Sequence, residues 1–367
     1  MWGRIIALII KEMWAILRDP RARVILVVPP LVQLFILGFA TTLEVKNIDV
    51  GVYNRDSGAW STEFVQRLAG SPNIRGIVWL RSPEELRSAI DNQRVIVAVS
   101  IDQRFSADVT AGRPAIIQAV FDGRRSNAAQ IVSGYIERIT AEMGASLAPV
   151  IDAPRSQSVI TNWFNPNLDY LWFTMPALIV IISTVSGLGI TALSVARERE
   201  LGTFDQLMVS PLRVHEILIG KMVPPFLVGL FNASLYLVLI PLAFGVPLTG
   251  SVPLFYLALT FYLLALVGVG MLVSSLAQTQ QQAFLGVFLV TVPATLLSGY
   301  ASPVDNMPGW LQVLAQANPP KHFLIVSEGI FLKAMPALDV LANTWPLIII
   351  AAITLTASAI LFRARME

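Results

Sequence analysis

Six stretches of this sequence stay apolar over close to 20 residues, and that single feature decides most of what the chain can become. As a helix, an apolar run of roughly 20 residues spans the approximately 30 Å of hydrocarbon in a bilayer. The runs are Val24–Thr42, Leu171–Ala196, Met222–Phe244, Leu254–Leu276, Ala283–Tyr300 and Thr344–Phe362. Gly286 and Pro293 interrupt the fifth, a break that membrane helices tolerate where neighbours satisfy the freed backbone groups. Only 14% of the 367 residues are charged and mean hydropathy is +0.66, whereas soluble domains carry about 25% charge. The expected fold class is a membrane protein with a six-helix α-helical transmembrane domain.

The same composition excludes several chemistries. There is no cysteine, hence no disulfide, thiolate metal site or cysteine nucleophile, and two histidines leave little for zinc. No catalytic constellation and no metal site are expected. A net charge of +2 without a clustered basic face gives no reason to expect nucleic acid as a partner.

Orientation follows from basic residues near the span ends, which are retained in the cytoplasm. Arg4, Lys11, Arg18, Arg21 and Arg23 precede the first span, Arg197, Arg199, Arg213 and Lys221 separate the second from the third, and Arg363 and Arg365 follow the last. Six spans then place both termini in the cytoplasm. Residues 245–251 carry no charge, and Ser302–Asn343 has Lys321 and Lys333 against Asp305, Glu328 and Asp339, so these segments belong outside.

Residues 1–23 read as an amphipathic helix before the first span at 24–43. Trp2, Ile5, Ile6, Ile9, Ile10, Met13, Trp14 and Leu17 recur at helical spacing, with Arg4, Lys11 and Arg18 elsewhere on the wheel, as in a helix lying in the membrane interface. The apolar patch Ile5–Ile10 is short and runs into Lys11 and Glu12, so a cleaved secretory signal is not expected.

Between the first two spans, residues 44–168 hold 13 of the 26 basic and 13 of the 24 acidic side chains. This is expected to be an extracytoplasmic α/β domain. Strands are expected at Val50–Tyr53, Gly76–Leu80, Val95–Ile101 and Ile116–Phe121, and helices at Ser61–Leu68, Pro83–Ile90 and Ala128–Glu142. Ser82-Pro83-Glu84-Glu85 is a helix start with Ser82 as cap and Glu85 three residues on. Asp122-Gly123 reads as a turn, and Arg124 and Arg125 as a solvated face or an anionic-headgroup contact. The remaining residues, 169–367, form the rest of the transmembrane domain.

The loop after the second span reads Arg197-Glu-Arg-Glu-Leu-Gly-Thr-Phe-Asp-Gln-Leu-Met-Val-Ser-Pro211. It resembles the signature of type-2 ATP-binding cassette (ABC) exporter permeases, acidic-Arg-Glu, a residue, Gly-Thr, then a short helix ending in Ser-Pro. Ser298-Gly-Tyr300-Ala-Ser-Pro303, Met307-Pro308-Gly-Trp310 and Asn318-Pro319-Pro320 resemble the family's outer-leaflet segment. Val50-Gly-Val-Tyr-Asn-Arg-Asp56-Ser57, Ile101-Asp-Gln-Arg-Phe105 and Phe121-Asp-Gly123 resemble the subgroup with a large insertion after the first span.

The resemblance makes residues 197–213 the contact with an ATPase subunit, with Glu198, Arg199, Glu200, Gly202, Thr203, Phe204, Leu207 and Pro211 as coupling residues. Independently of it, Thr203 and Gln206 form a capping box for a short helix ending before Pro211, with Leu201, Phe204, Leu207 and Met208 as its apolar stripe. Packing of that helix on its own bundle is the plainer reading. The chain lacks a Gly-x-x-x-x-Gly-Lys-Ser/Thr phosphate loop, so ATP and Mg belong on a partner ATPase. The family's working unit has twelve spans, which implies a second copy or a similar permease, and the resemblance also allows a periplasmic adaptor on the outside domain.

Residues 301–343 are apolar yet broken by Pro303, Pro308, Pro319, Pro320 and Pro336. Irregular backbone at membrane depth needs cover by protein or water, which makes this segment an expected outer gate with Tyr300, Pro303, Met307, Pro308, Lys321 and His322. Side chains reaching to the interface explain Lys321, His322 and Glu328 as well. The spans hold almost no ionisable groups, which disfavours an ion-coupled transporter. By the same resemblance, Thr174, Met175, Ser183, Thr184, Ser186, Thr291 and Thr295 line a substrate cavity, although small hydroxyl residues also serve close helix packing. Such a cavity suits amphipathic or lipid-like cargo.

The expected protein is therefore the permease subunit of an ATP-driven exporter in the bacterial inner membrane, surrounded by lipid, and not itself an enzyme. The rivals are a membrane-anchored sensor, which has no need of four further spans, and a membrane enzyme, for which only scattered pairs such as Lys321 and His322 are at hand.

Overall fold

The computed structural model describes residues 2–18, 20–40, 48–71, 74–122, 126–147, 164–165, 169–203 and 212–364. The chain divides into two compact units, residues 42–160 and residues 1–41 with 161–367.

The first unit is an α/β domain, as its alternating pattern predicts. Strands β1 (Ile48–Asn54), β2 (Ile74–Trp79), β3 (Val97–Ile101) and β4 (Ile117–Phe121) form one sheet in the order β2-β1-β3-β4. β1 is parallel to β2 and β3, while β4 runs antiparallel to β3. One face packs Val50, Val52, Val97 and Val99 against Phe64 and Leu68 of α3 (Ala59–Ala69) and Val132 and Ile136 of α6 (Ser126–Leu147). Ala98 on the other face packs with Leu80 and with Ala89 of α4 (Pro83–Asp91). Both faces of β1 and β3 are thus covered, as their near-continuous apolar runs require. At Gly51 a Cβ would lie 2.8 Å from Leu80 Cδ1, so any side chain there makes Leu80 shift.

Ser82 caps α4 by accepting from Glu85 N at 3.1 Å, but the Glu85 carboxylate bonds Arg81 N at 2.8 Å, one residue before the cap. A short helix, α5 (Phe105–Thr110), goes unannounced by the sequence because six residues give too little periodicity to read. Asp122 is buried, whereas Gly123, Arg124 and Arg125 lie outside the described residues.

In the second unit, α1 (Trp2–Arg18) precedes α2 (Pro20–Ala40), followed by α7 (Tyr170–Glu200), α8 (Val214–Phe244), α9 (Val252–Leu276), α10 (Gln280–Leu296) and α13 (Ala337–Ala364). Between the last two lie α11 (Gly309–Gln316) and α12 (Pro319–Leu332). Among the described residues, four helices, α7, α8, α9 and α13, are long and apolar enough to cross a membrane. Helix α2 has a shorter apolar part, Leu26–Phe39. The fifth run ends as helix at Leu296 rather than Tyr300, where Ser298 N bonds Thr295 O at 3.3 Å and Gly299, at φ +98°, turns the chain.

The bundle is centred on α9, which packs between α7 and α13. Small residues allow this. A Cβ on Gly270 would press on Thr191 of α7, and one on Gly268 would collide with Thr354 of α13, the close approach by which helices associate in lipid. Helix α1 buries Ile5 and Leu8 and lies on α8, with Leu8 filling the space above Gly220. Of its other apolar residues, Trp2, Ile6, Ile10, Trp14 and Leu17 are exposed, and Ile9 and Met13 half-buried.

Candidate functional site

The end of α7 gathers Glu198, Arg199 and Glu200 of the loop signature into one cluster, and each of them holds a different helix. Glu198 accepts from Lys221 Nζ of α8. Lys221, with 2% of its side chain exposed, also donates at 2.8 Å to Glu12 of α1. Arg199 donates to the carbonyls of Ser275 and Ala277 at 2.9 and 3.1 Å, placing a cation at the negative C-terminal end of α9. Glu200 accepts from Gln280 N at 2.8 Å, placing an anion at the positive N-terminal end of α10. Three successive residues thus tie α7 to α1, α8, α9 and α10.

The helix then stops in a Schellman turn. Gly202 N bonds Arg199 O at 3.1 Å and Thr203 N bonds Glu198 O at 3.0 Å, with Gly202 at φ +69°, the left-handed conformation that favours glycine at this position. Thr203 also turns its hydroxyl back to Glu198 O at 3.3 Å. The glycine and threonine of the signature therefore set the angle at which the chain leaves α7. Phe204, Gln206 and Leu207, which the sequence places on the following helix, and Pro211, which follows it, lie outside the described residues. Beyond them, Arg213 N bonds the Glu216 carboxylate at 2.9 Å to begin α8.

The hydroxyl residues assigned to a cavity divide into two sets. Thr184 bonds Val180 O at 2.7 Å and the Tyr262 hydroxyl at 2.6 Å, so it joins α7 to α9 inside the bundle. Thr174, Ser183 and Thr291 are buried, their hydroxyls without a hydrogen-bond partner among the described residues. Met175 is buried against Gly38 of α2, and Thr295 bonds Thr291 O at 2.9 Å. Ser186 lines a cavity of about 820 Å³ between α1, α2, α7, α8 and α10 that reaches Glu198 and Lys221.

The outer segment is held at several points. Tyr300 stacks on Phe173 of α7 with centroids 6.1 Å apart. Pro303 precedes a 3-10 turn, Val304–Asn306, that ends at Met307, and Pro308 precedes α11. Gln312 binds the Met307 carbonyl at 2.9 Å. His322, buried, contacts Gln316 O at 2.8 Å, while Lys321 is half-buried. Ser327 donates to Pro176 O of α7 at 2.9 Å. Thr249 N and Gly250 N, in the uncharged turn between α8 and α9, bond Phe331 O and Ile330 O at the end of α12, at 3.1 and 2.8 Å.

Sequence reading missed the partnership of Glu12 with Lys221, 209 residues apart. The one available signal was a lysine inside the apolar register of α8, which demands a counter-charge.

The family model described as ABC-2 family transporter protein matches residues 23–360. The chain is 44% identical over the whole of both chains to the "Probable multidrug ABC transporter permease YbhR" of Escherichia coli K12. It is 29% identical to "Probable multidrug ABC transporter permease YbhS" of the same strain, across 98% of this chain and 95% of that one. The "Inner membrane transport permease YhhJ", also from that strain, is 29% identical across 88% and 87%. This coverage, reaching through the α/β domain and every long helix, shows that the chain belongs to the ABC-2 family of transporter proteins.

Proposed function

We propose that the chain is the permease subunit of an ATP-driven exporter that moves amphipathic or hydrophobic compounds out of the cytoplasm or the inner membrane. The observation that carries the reading is the cluster at 198–203, where one short segment holds four helices and fixes the exit angle of the loop. A push on that loop moves α7 together with α1, α8, α9 and α10. The relatives' printed names, which describe multidrug and inner-membrane transport permeases, support the substrate class and the bacterial inner membrane as location.

In this reading α2 and α10 join the four long helices as spans, both termini face the cytoplasm, and the apolar side chains of α1 rest in the interface. The α/β domain then lies outside, where a periplasmic adaptor can reach it, and α11 and α12 form the outer gate. ATP and Mg act on a separate cassette ATPase. Similarity to two distinct permeases of one strain favours pairing with an unlike permease. Helix α10 supports an interface of that kind, since it leaves Phe284, Leu285, Phe288 and Leu289 exposed.

The test is a pull-down of the tagged chain in mild detergent with mass spectrometry of its companions, followed by Glu200→Ala and Gly202→Pro in the assembled complex. A cassette ATPase in comparable amount, with substrate-stimulated hydrolysis lost in both variants, is expected. Unchanged stimulation and export in both would refute the coupling role.

A further inference from the structure

Prolines gather where a membrane helix can least spare a backbone donor. Helix α2 carries Pro29-Pro30 and α8 carries Pro224-Pro225, each pair inside its helix, and both pairs border the same cavity of about 820 Å³. A proline donates no backbone bond and its ring presses on the carbonyl one turn back, so each pair opens two successive rungs of its ladder. Ser186 of α7 lines the cavity too, next to Gly187, and returns its hydroxyl to Ile182 O at 2.8 Å, a bond that competes with the helix's own and favours a bend. In α9, Gly270 lies against Thr191 of α7, just beyond this turn. Four helices thus have a yielding turn around one volume of open space.

Cross-links lie on either side of these turns. Toward α1, Lys221 joins α8 to Glu12 and Glu198, Leu8 fills the space above Gly220, and Ser274 Oγ of α9 donates to Ala192 O of α7 at 2.6 Å. Away from it, the Tyr262 hydroxyl of α9 donates to Val180 O of α7 at 2.9 Å, and the Tyr256 hydroxyl donates to Ser234 Oγ of α8 at 2.8 Å. Asn232 of α8, 2% exposed, reaches across the level of the prolines. Its Nδ2 donates to Leu26 O of α2 at 3.1 Å, the carbonyl that Pro30 leaves without its helical donor. A carbonyl freed inside a membrane needs such a partner from a neighbouring helix.

From the opened rungs, the space they share and the cross-links on both sides, we infer that the level of Pro29 and Pro224 is a flexure. Helix α1 and the adjoining ends of α2, α7, α8 and α9 tilt as one body against the rest of the bundle, into the cavity, and Asn232 is the latch that resists the tilt. This rests on the permease reading and deepens it, because it assigns the part of the bundle that yields when the loop after α7 is pushed. Without such a level, thrust at residues 198–203 would shift each long helix whole.

The chain has no cysteine, so spin labels attach only where one is introduced. The test uses the chain assembled with its ATPase in lipid nanodiscs, labelled chain being diluted with unlabelled, and reads spin–spin distances without nucleotide and with ADP-vanadate trapped. The pair that spans the level is Ile10→Cys with Leu242→Cys, and the pair beyond it is Leu242→Cys with Leu296→Cys, all at exposed positions. We expect the spanning distance to change by several ångströms and the other to hold. Pro224→Ala together with Pro225→Ala restores both backbone donors of α8 and should suppress most of that change. Asn232→Leu should raise basal ATP hydrolysis about fivefold, the worth of one neutral hydrogen bond. A spanning distance that changes no more than the other, or that changes equally in the proline variant, overturns the flexure, and basal hydrolysis unchanged in Asn232→Leu overturns the latch. If either occurs in a complex that retains its ATPase and its export, the permease reading stands alone. Failure of the unaltered chain to hold any ATPase sinks both.

Discussion

Replacing Lys221 by methionine isolates what its ammonium group does, because the two side chains have similar volume and only the charge is lost. The lysine is 2% exposed and bridges Glu12 and Glu198. Removing one member of a buried ion pair costs roughly 3–5 kcal/mol, since the remaining charge is stranded. Here Glu198 loses its lysine while Glu12 keeps Lys11 at 3.4 Å, and both carboxylates keep some exposure, 14% and 18%. Water therefore relieves part of the penalty, and we expect the lower end, about 3 kcal/mol, or somewhat more than a hundredfold in the folding equilibrium. The triple variant Lys221→Met, Glu12→Gln, Glu198→Gln removes the buried lysine with both of its carboxylate partners, leaves Lys11 to solvent, and should recover to within about 1 kcal/mol of the parent. Titration of the purified chain with sodium dodecyl sulfate, followed by tryptophan fluorescence, measures both. A Lys221→Met chain as stable as the parent, or a triple variant no better than the single, would show that the trio is not an electrostatic unit.

At Gly202 the left-handed backbone should rank substitutions as Gly, then Asn, then Ala, then Val, with about 1–2 kcal/mol against Ala; stimulated ATP hydrolysis in the assembled complex should fall in the same order. Arg199→Gln removes charged bonds to the end of α9 that are worth roughly 1.5–3 kcal/mol, and hydrogen exchange should quicken at 275–278 first. In the α/β domain, burial pushes the Asp56 carboxyl up, but hydrogen bonds from Ser106, Ser61 and Gly58 outweigh it and hold the group below its ordinary 3.8. The stabilisation is therefore complete above about pH 3.8 and drains away as pH falls through the lower folded value. Intrinsic fluorescence of the full chain should show an acid transition in that window, which Asp56→Asn flattens while lowering stability at neutral pH.

The long apolar runs and the α/β alternation were legible because each is a periodic property summed over many residues. Runs such as Leu254–Leu276 match a described helix almost residue for residue. The loop signature was legible as a string, but the part of it that closes α7 was not. The sequence assigns Thr203 to the cap of a following helix that lies outside the described residues, and gives no sign that its amide and hydroxyl bond back to Glu198 O. Likewise Thr184 has a composition suited to a cavity wall, and its bond to Tyr262, 78 residues away, is a matter of three-dimensional register. Local chemistry survives in one dimension, whereas the choice of partner among distant helices does not.

The attachment of α12 to the turn between α8 and α9 runs through backbone amides at Thr249 and Gly250. Main-chain bonds are indifferent to side-chain identity, so these two contacts survive substitution elsewhere in the turn. Four positions are nevertheless constrained, of which Gly245 sits at φ +66° and Val246 is fully buried. A Cβ at Gly250 would fall 2.8 Å from Ile330 O, and the Thr249 hydroxyl accepts from Ala334 N at 2.9 Å. A saturation library across residues 245–251 should accordingly be tolerant at Pro247 and Ser251 and intolerant at Gly245, Val246 and the 249–250 corner.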